Sequence, residues 1–176
     1  MSFRQRLASA VPSKETVVTI GVFDGVHLGH RHLLRKVVEL AGDQYVPTVI
    51  TFSNRPITVI KPGTEPSYLT TLDQRVQLIK QQGIEVVVCL DFTQELAGVS
   101  AEEFAKLLAD SFRMKGLVMG PDSAIGKDRQ GDLAFMKKQG EGLGFWAQSV
   151  ETLSLIHISE PTSPRLISYA VFCLKK

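Results

Sequence analysis

Ten residues, GVFDGVHLGH at 21–30, gather three glycines, two histidines and one aspartate between an apolar run, TVVTI, and a helical pattern. Gly21 would let backbone approach a phosphate closely, and Gly25 would permit a turn conformation barred to side chains. His27 and His30 are three apart at the mouth of a helix, so their imidazoles project on one side, within reach of one phosphate. A helix N-terminus favours anions there. Two donors in that place stabilise charge developing on an α-phosphate during in-line displacement, with no covalent intermediate. The spacing is not that of the dinucleotide fingerprint, and the Lys-Ser/Thr of a P-loop is missing. An i, i+3 histidine pair without a third ligand nearby assigns no metal site. The bland alternative is a polar helix start.

Elements must hold these residues, and the hydrophobic pattern names them. Apolar, β-branched runs recur at TVVTIGVF (16–23), YVPTVITF (45–52), EVVVCLDF (85–92), GLVMG (116–120) and GFWAQSV (144–150). Continuous rather than alternating hydrophobicity predicts strands buried on both faces, as in a parallel sheet. Between them, Leu33, Leu34, Val37, Val38 and Ala41 form one helical stripe ending near Gly42. Leu72, Val76 and Ile79 form another, with Thr71 as N-cap and Gly83 as stop. Ser100 caps a third, with Glu103 as its capping-box partner and Phe104, Leu107 and Leu108 as its buried face. Alternating strand and helix predicts an α/β, doubly wound parallel sheet of about five strands with flanking helices. The long loops, 53–67 and 120–131, follow strands, where such sheets bind ligands.

Composition closes other routes. The 176 residues suit one domain, no apolar stretch approaches a membrane span, and the N-terminus has no signal-peptide h-region, so a cytoplasmic location is expected. The net charge of +2 comes from residues 153–176 alone, through Arg165, Lys175 and Lys176 against Glu160, so a nucleic-acid partner is not expected. The two cysteines form no metal or redox motif.

GVFDGVHLGH resembles the GxFDGxHxGH signature of the HxGH nucleotidylyltransferases. From about residue 15 to about 150 the chain is similar to the adenylyltransferase module of the bacterial bifunctional riboflavin kinase/FMN adenylyltransferases, the prokaryotic FAD synthetases. TFSNRP resembles their TFxPHP, YLTTLDQRVQLIKQQGI their LTTLxEKxxLLxxxGV, DFTQELAGVSAEEF a segment ending LSxEEF, and GPDSAIGKDRQGD their GxDFxFGxxRxGD. The resemblance implies a Rossmann-like fold and transfer of AMP from ATP to FMN, giving FAD and pyrophosphate, with Mg²⁺ on the phosphates. It implies that Gly21, Phe23, Asp24, Gly25, His27 and His30 hold ATP, the histidines acting on its phosphates. Asp122, Gly126 and Arg129 fall in the nucleotide part of the second loop. Asn54, Arg55, Gly131 and Asp132 fall on the flavin side, although Asp132 also suits a helix N-cap before LAFMKK.

The chain departs from that pattern where TFxPHP becomes Asn54 and Arg55 and where DFxF becomes Ser123 and Ile125. Fewer aromatics leave less apolar face for a flavin ring. Two alternatives stay open: another phosphorylated acceptor, or a non-catalytic ATP-binding domain. After Ser149 the sequence departs from the family's SSTRIR-like segment, and the kinase domain is expected to be absent. LSLIHISEPT and ISYAVFCL instead match the translated constant halves of a transposase-type sequencing adapter, with one mismatch at Ser163. The expected division is a truncated nucleotidylyltransferase domain over 1–152 and a non-native adapter tail over 153–176.

Overall fold

The computed structural model describes residues 2–61, 63 and 67–151 of the chain. The expected 153–176 tail lies outside them. In chain order the elements are α1 (Phe3–Ser9), β1 (Thr16–Ile20), α2 (Leu28–Ala41), β2 (Val46–Phe52), α3 (Pro56–Ile60), α4 (Leu72–Lys80) and β3 (Val86–Leu90). They continue as α5 (Gln94–Ala97), α6 (Ala101–Phe112), β4 (Met114–Met119), α7 (Leu133–Leu143) and β5 (Trp146–Ser149). The five strands form one sheet in the order β3-β2-β1-β4-β5, and all four pairings are parallel.

The continuous apolar runs are explained by the two faces. Val17, Val49 and Val118 pack with Leu33, Leu34 and Val37 of α2 and Ile79 of α4. Their neighbours Val18, Ile50 and Leu117 point the opposite way, against Phe3 and Leu7 of α1, Phe104 and Leu108 of α6, and Met136 of α7. Helices therefore cover both faces, and the sheet is a Rossmann-like α/β arrangement whose carboxyl edge carries the loops after β1, β2 and β4.

Several boundaries differ from the sequence reading. β1 ends at Ile20 because residues 21–23 turn off the sheet, although Gly21 still donates its N–H to the Ile50 carbonyl at 3.0 Å. β4 starts two residues earlier than its apolar run, at Met114. Thr71 caps α4 with Gln74 completing a capping box. Ser100 accepts from the Glu103 N–H at 3.1 Å, but the Glu103 carboxylate pairs with Arg4 on α1 rather than returning to the cap. Thus α1, which no periodicity announced, is capped by its own Ser2–Gln5 box and fastened to α6 by that ion pair. The ion pair is exposed and adds little stability, while burial of Phe3 and Leu7 carries the docking.

Candidate active site

Leaving β1, the chain enters left-handed backbone at Phe23 (φ 53°), Gly25 (φ 72°) and Val26 (φ 40°) before α2 begins. Gly25 takes that conformation without penalty, as its position in the sequence foretold; Phe23 and Val26 hold it at a cost of about 1–3 kcal/mol each. His27 becomes the N-cap of α2, its Nδ1 accepting the His30 N–H at 3.4 Å. The imidazoles of His27 and His30 stack, centroids 3.6 Å apart and planes 23° from parallel. Phe23, buried, sets its ring edgewise to His30 at 5.1 Å. The same ring lies 3.0 Å from where a Cβ on Gly21 would stand, so Gly21 makes room for Phe23.

This packing sets protonation. Burial, then the neighbouring His27, pushes the His30 pKa from 6.5 down to about 4, against a smaller opposing pull from Asp24. His30 is therefore neutral near pH 7, and its buried Nδ1 has no partner. Because His27 accepts through Nδ1, its neutral form carries the proton on Nε2, free to donate outward. The first N–H groups of α2 lack intrahelical acceptors and add a positive dipole end.

Asp24 is engaged within the chain. Its carboxylate accepts from the Leu69 and Thr70 N–H groups at 3.1 Å, from the Thr70 hydroxyl at 3.0 Å and from Arg55 Nη2 at 2.5 Å. Burial alone would raise its pKa, but the bonds from Leu69, Arg55 and Thr70 outweigh burial and hold it below the ordinary carboxylate value. Gly25 N–H joins the same knot through Thr70 Oγ1 at 3.2 Å. Asp24 thus ties the loop after β1 to residues 69–70.

A cleft of about 460 Å³ opens beside this knot, lined by Val22, Asp24, His27, His30, Arg55 and the apolar Pro56, Ile57 and Leu69. Arg55 Nη2 also donates to the Ser67 carbonyl at 3.0 Å, its Nε is buried without a partner, and its guanidinium lies 5.0 Å from the Tyr68 ring centroid. Asn54 faces elsewhere. Its side chain exchanges two bonds with the Phe92 backbone, at 2.7 and 2.9 Å, and clips the end of β2 to the end of β3.

The second loop is built differently. Asp122 uses its carbonyl to accept from Arg129 Nη2 at 2.7 Å. Gly126 (φ 79°) lies against α6, where a Cβ would fall 2.4 Å from the Ala101 nitrogen. Gly131 and Ile125 exchange backbone bonds at 2.9 and 3.0 Å. Asp132 is the N-cap of α7, accepting from the Phe135 N–H at 2.8 Å. None of Asp122, Gly126, Arg129, Gly131 and Asp132 lines the histidine cleft.

Sequence reasoning passed over Arg75. It interrupts the apolar stripe of α4 yet is 1% exposed, donating Nη1 to the Phe52 carbonyl at 2.7 Å and lying 5.4 Å from the Tyr68 ring. A cation placed among Leu72, Val76 and Ile79 was the available signal. Tyr68 likewise returns an aromatic to the neighbourhood of the cleft.

Fold and site together define a Rossmann-like α/β domain with a histidine-lined crevice at the carboxyl edge of its sheet. The chain belongs to the FAD synthetase family, whose model matches residues 10–160. It is 34% identical over 146 residues to the bifunctional riboflavin kinase/FMN adenylyltransferase of Escherichia coli K12, covering 82% of this chain and 47% of that protein. With the enzyme of the same name from Pseudomonas fluorescens it shares 36% over 141 residues, covering 79% and 45% respectively. The chain thus spans about half the length of these curated relatives. A crystal structure of a macrolide-efflux protein from Streptococcus pneumoniae shares the fold, with TM-score 0.74 and 23% identity over 97% of this chain and 56% of the other.

Proposed function

We propose that this chain transfers AMP from ATP to FMN, giving FAD and pyrophosphate, the adenylyltransferase half of what the names of its relatives describe. The stacked His27–His30 pair at the head of α2 carries the reading. An oxygen of the acceptor's phosphate attacks the α-phosphorus of ATP, and the bond from that phosphorus to the α,β-bridging oxygen breaks as pyrophosphate leaves. Negative charge grows on the phosphoryl oxygens during this displacement, so preorganised donors act most strongly there. His27 supplies Nε2–H, and α2 supplies its first backbone N–H groups and dipole. His30, held neutral, donates one N–H without carrying a positive charge of its own. Gly21, Phe23, Asp24 and Gly25 serve this arrangement by shaping the loop.

Magnesium enters as part of the nucleotide. Among the described residues no group of three or more His, Cys, Asp or Glu side chains could hold a metal ion. Mg²⁺ brought in with ATP would supply charge neutralisation for the leaving pyrophosphate, with His27 and the head of α2 facing the phosphates. Support for a planar apolar acceptor comes from the rim of the cleft: Leu28 (67% exposed), Leu69 (78%) and Ile57 (36%) stand beside the histidines or in the cleft wall. No described helix is long and apolar enough to cross a membrane, and use of ATP accords with the cytoplasmic location expected from the sequence.

Pyrophosphate release tests the reading, with ATP-Mg²⁺ and FMN, pantetheine phosphate or glycerol phosphate as acceptor. FMN-dependent release with FAD formation is expected. Release with a non-flavin acceptor alone, or ATP binding with no turnover on any acceptor, would overturn it.

A further inference from the structure

We infer that Arg55 selects the acceptor by its phosphate: parked on Asp24 in the free chain, its guanidinium grips a phosphomonoester entering the histidine cleft. The inference rests on the adenylylation reading and names the group that recognises the acceptor.

Three observations converge. First, Asp24 does not depend on Arg55, because the N–H groups of Leu69 and Thr70 and the Thr70 hydroxyl already engage both carboxylate oxygens. Releasing the arginine leaves a hydrogen-bonded carboxylate, not an orphaned charge.

Second, Arg55 is incompletely satisfied. Nη2 bonds Asp24 and the Ser67 carbonyl, while Nε is buried with no partner. An unmatched buried donor is costly, and a phosphate offers two acceptor oxygens at the spacing of a guanidinium edge. Arg55 lines the same cleft as His27 and His30, so an anion on it lies where the reaction needs its nucleophile.

Third, the surrounding charge favours an anion. Arg75, the second guanidinium on Tyr68, has no carboxylate in ion-pair contact among the described residues. Among the described residues, Asp24 is the single carboxylate paired with either arginine there. Flanking Tyr68 at 5.0 and 5.4 Å, the arginines keep a planar group against a ring, which limits the freedom Arg55 loses on binding. The TFxPHP pattern has histidine where this chain has Arg55. A permanently charged fork replaces a single ring that titrates near neutrality.

The test separates phosphate recognition from general damage. Flavin fluorescence quenching gives the Kd of FMN and of riboflavin, which lacks the phosphate, for the wild-type chain, Arg55→Gln and Arg55→Lys. The wild-type chain should prefer FMN by about ten- to a hundredfold, the range expected of charge-assisted bidentate bonds. In Arg55→Gln the preference should fall to near one while riboflavin affinity moves by less than about threefold. Arg55→Lys, which keeps the charge but loses the fork, should sit between and covers the case in which the glutamine variant does not fold. FMN preference retained in full by the folded variants, or equal weakening of both flavins, overturns the inference and leaves adenylylation standing. A wild-type chain that binds neither flavin defeats both together.

Discussion

The loop after β1 and the loop after β4 leave the same edge of the sheet from adjacent strands, and both are strained. Among the described residues, four of the five non-glycine residues with positive φ lie in them: Phe23 and Val26 in the first, Asp128 and Arg129 in the second. Backbone strain therefore does not tell them apart. Polar satisfaction does. The second loop closes on itself through the Ile125–Gly131 bridge and the Arg129 bond to Asp122, and is fastened at its flanks by the Lys127 N–H bond to Val99 and the Asp132 cap. The first leaves His30 Nδ1 unpartnered, with Arg55 Nε unpartnered across the cleft. Strain held by internal bonds makes a scaffold, whereas strain beside unmatched donors makes a place for a ligand.

The sharpest way to break this contrast is at the histidines. His27→Ala and His30→Ala should each lower kcat by about 10²–10³, with ATP affinity changing only a few-fold, because groups acting on developing charge matter most in the transition state. Single-turnover rates alongside ATP titration measure the split. Loss of ATP affinity with kcat intact would make the pair an ordinary binding element.

A second test uses acid. The folded pKa of His30 lies near 4 and the ordinary value is 6.5, so the unfolded chain binds the extra proton first. The stabilisation that comes from keeping His30 neutral is complete above about pH 6.5 and is lost as pH falls toward 4. Asp24, depressed below 3.8, contributes its loss only at still lower pH. Urea midpoints from pH 7.5 to 4.5 should fall in the wild-type chain and flatten in His30→Gln. Equal slopes would show that His30 is not the group titrating.

The smallest effect belongs to the second loop. Asp132→Ala should cost about 1 kcal/mol through loss of the α7 cap, read from denaturant unfolding. The catalytic constants of the folded fraction should hold within about threefold. A larger drop in FMN turnover would restore Asp132 to the ligand pocket and weaken the contrast between the loops.

What the sequence disclosed follows from the range of the interactions. The strands were legible because both sheet faces are buried, which writes continuous apolar runs into the chain. The histidine pair was legible because helix geometry alone brings residues three apart together. The partners of Asp24 were not: Leu69 and Thr70 are 45 and 46 positions away, and no local pattern links them. Asn54 and Arg55 are adjacent in sequence, yet one clips β3 and the other lines the cleft, a division set by the turn between them. Arg75 stayed hidden because an arginine on an amphipathic helix ordinarily faces water.

The strand order has a consequence for synthesis. β1 is made early but occupies the middle of the sheet, flanked by β2 and β4. The Thr16 hydroxyl at its start bonds the Phe112 carbonyl, 96 positions later. While a ribosome is still producing residues short of β4, the central strand can be paired on one side only. Its other edge, bearing Val17 and Val18, must wait exposed or be sheltered by another protein. The strand that launches the histidine loop thus completes its pairing late, although every residue lining the cleft has already been made by then.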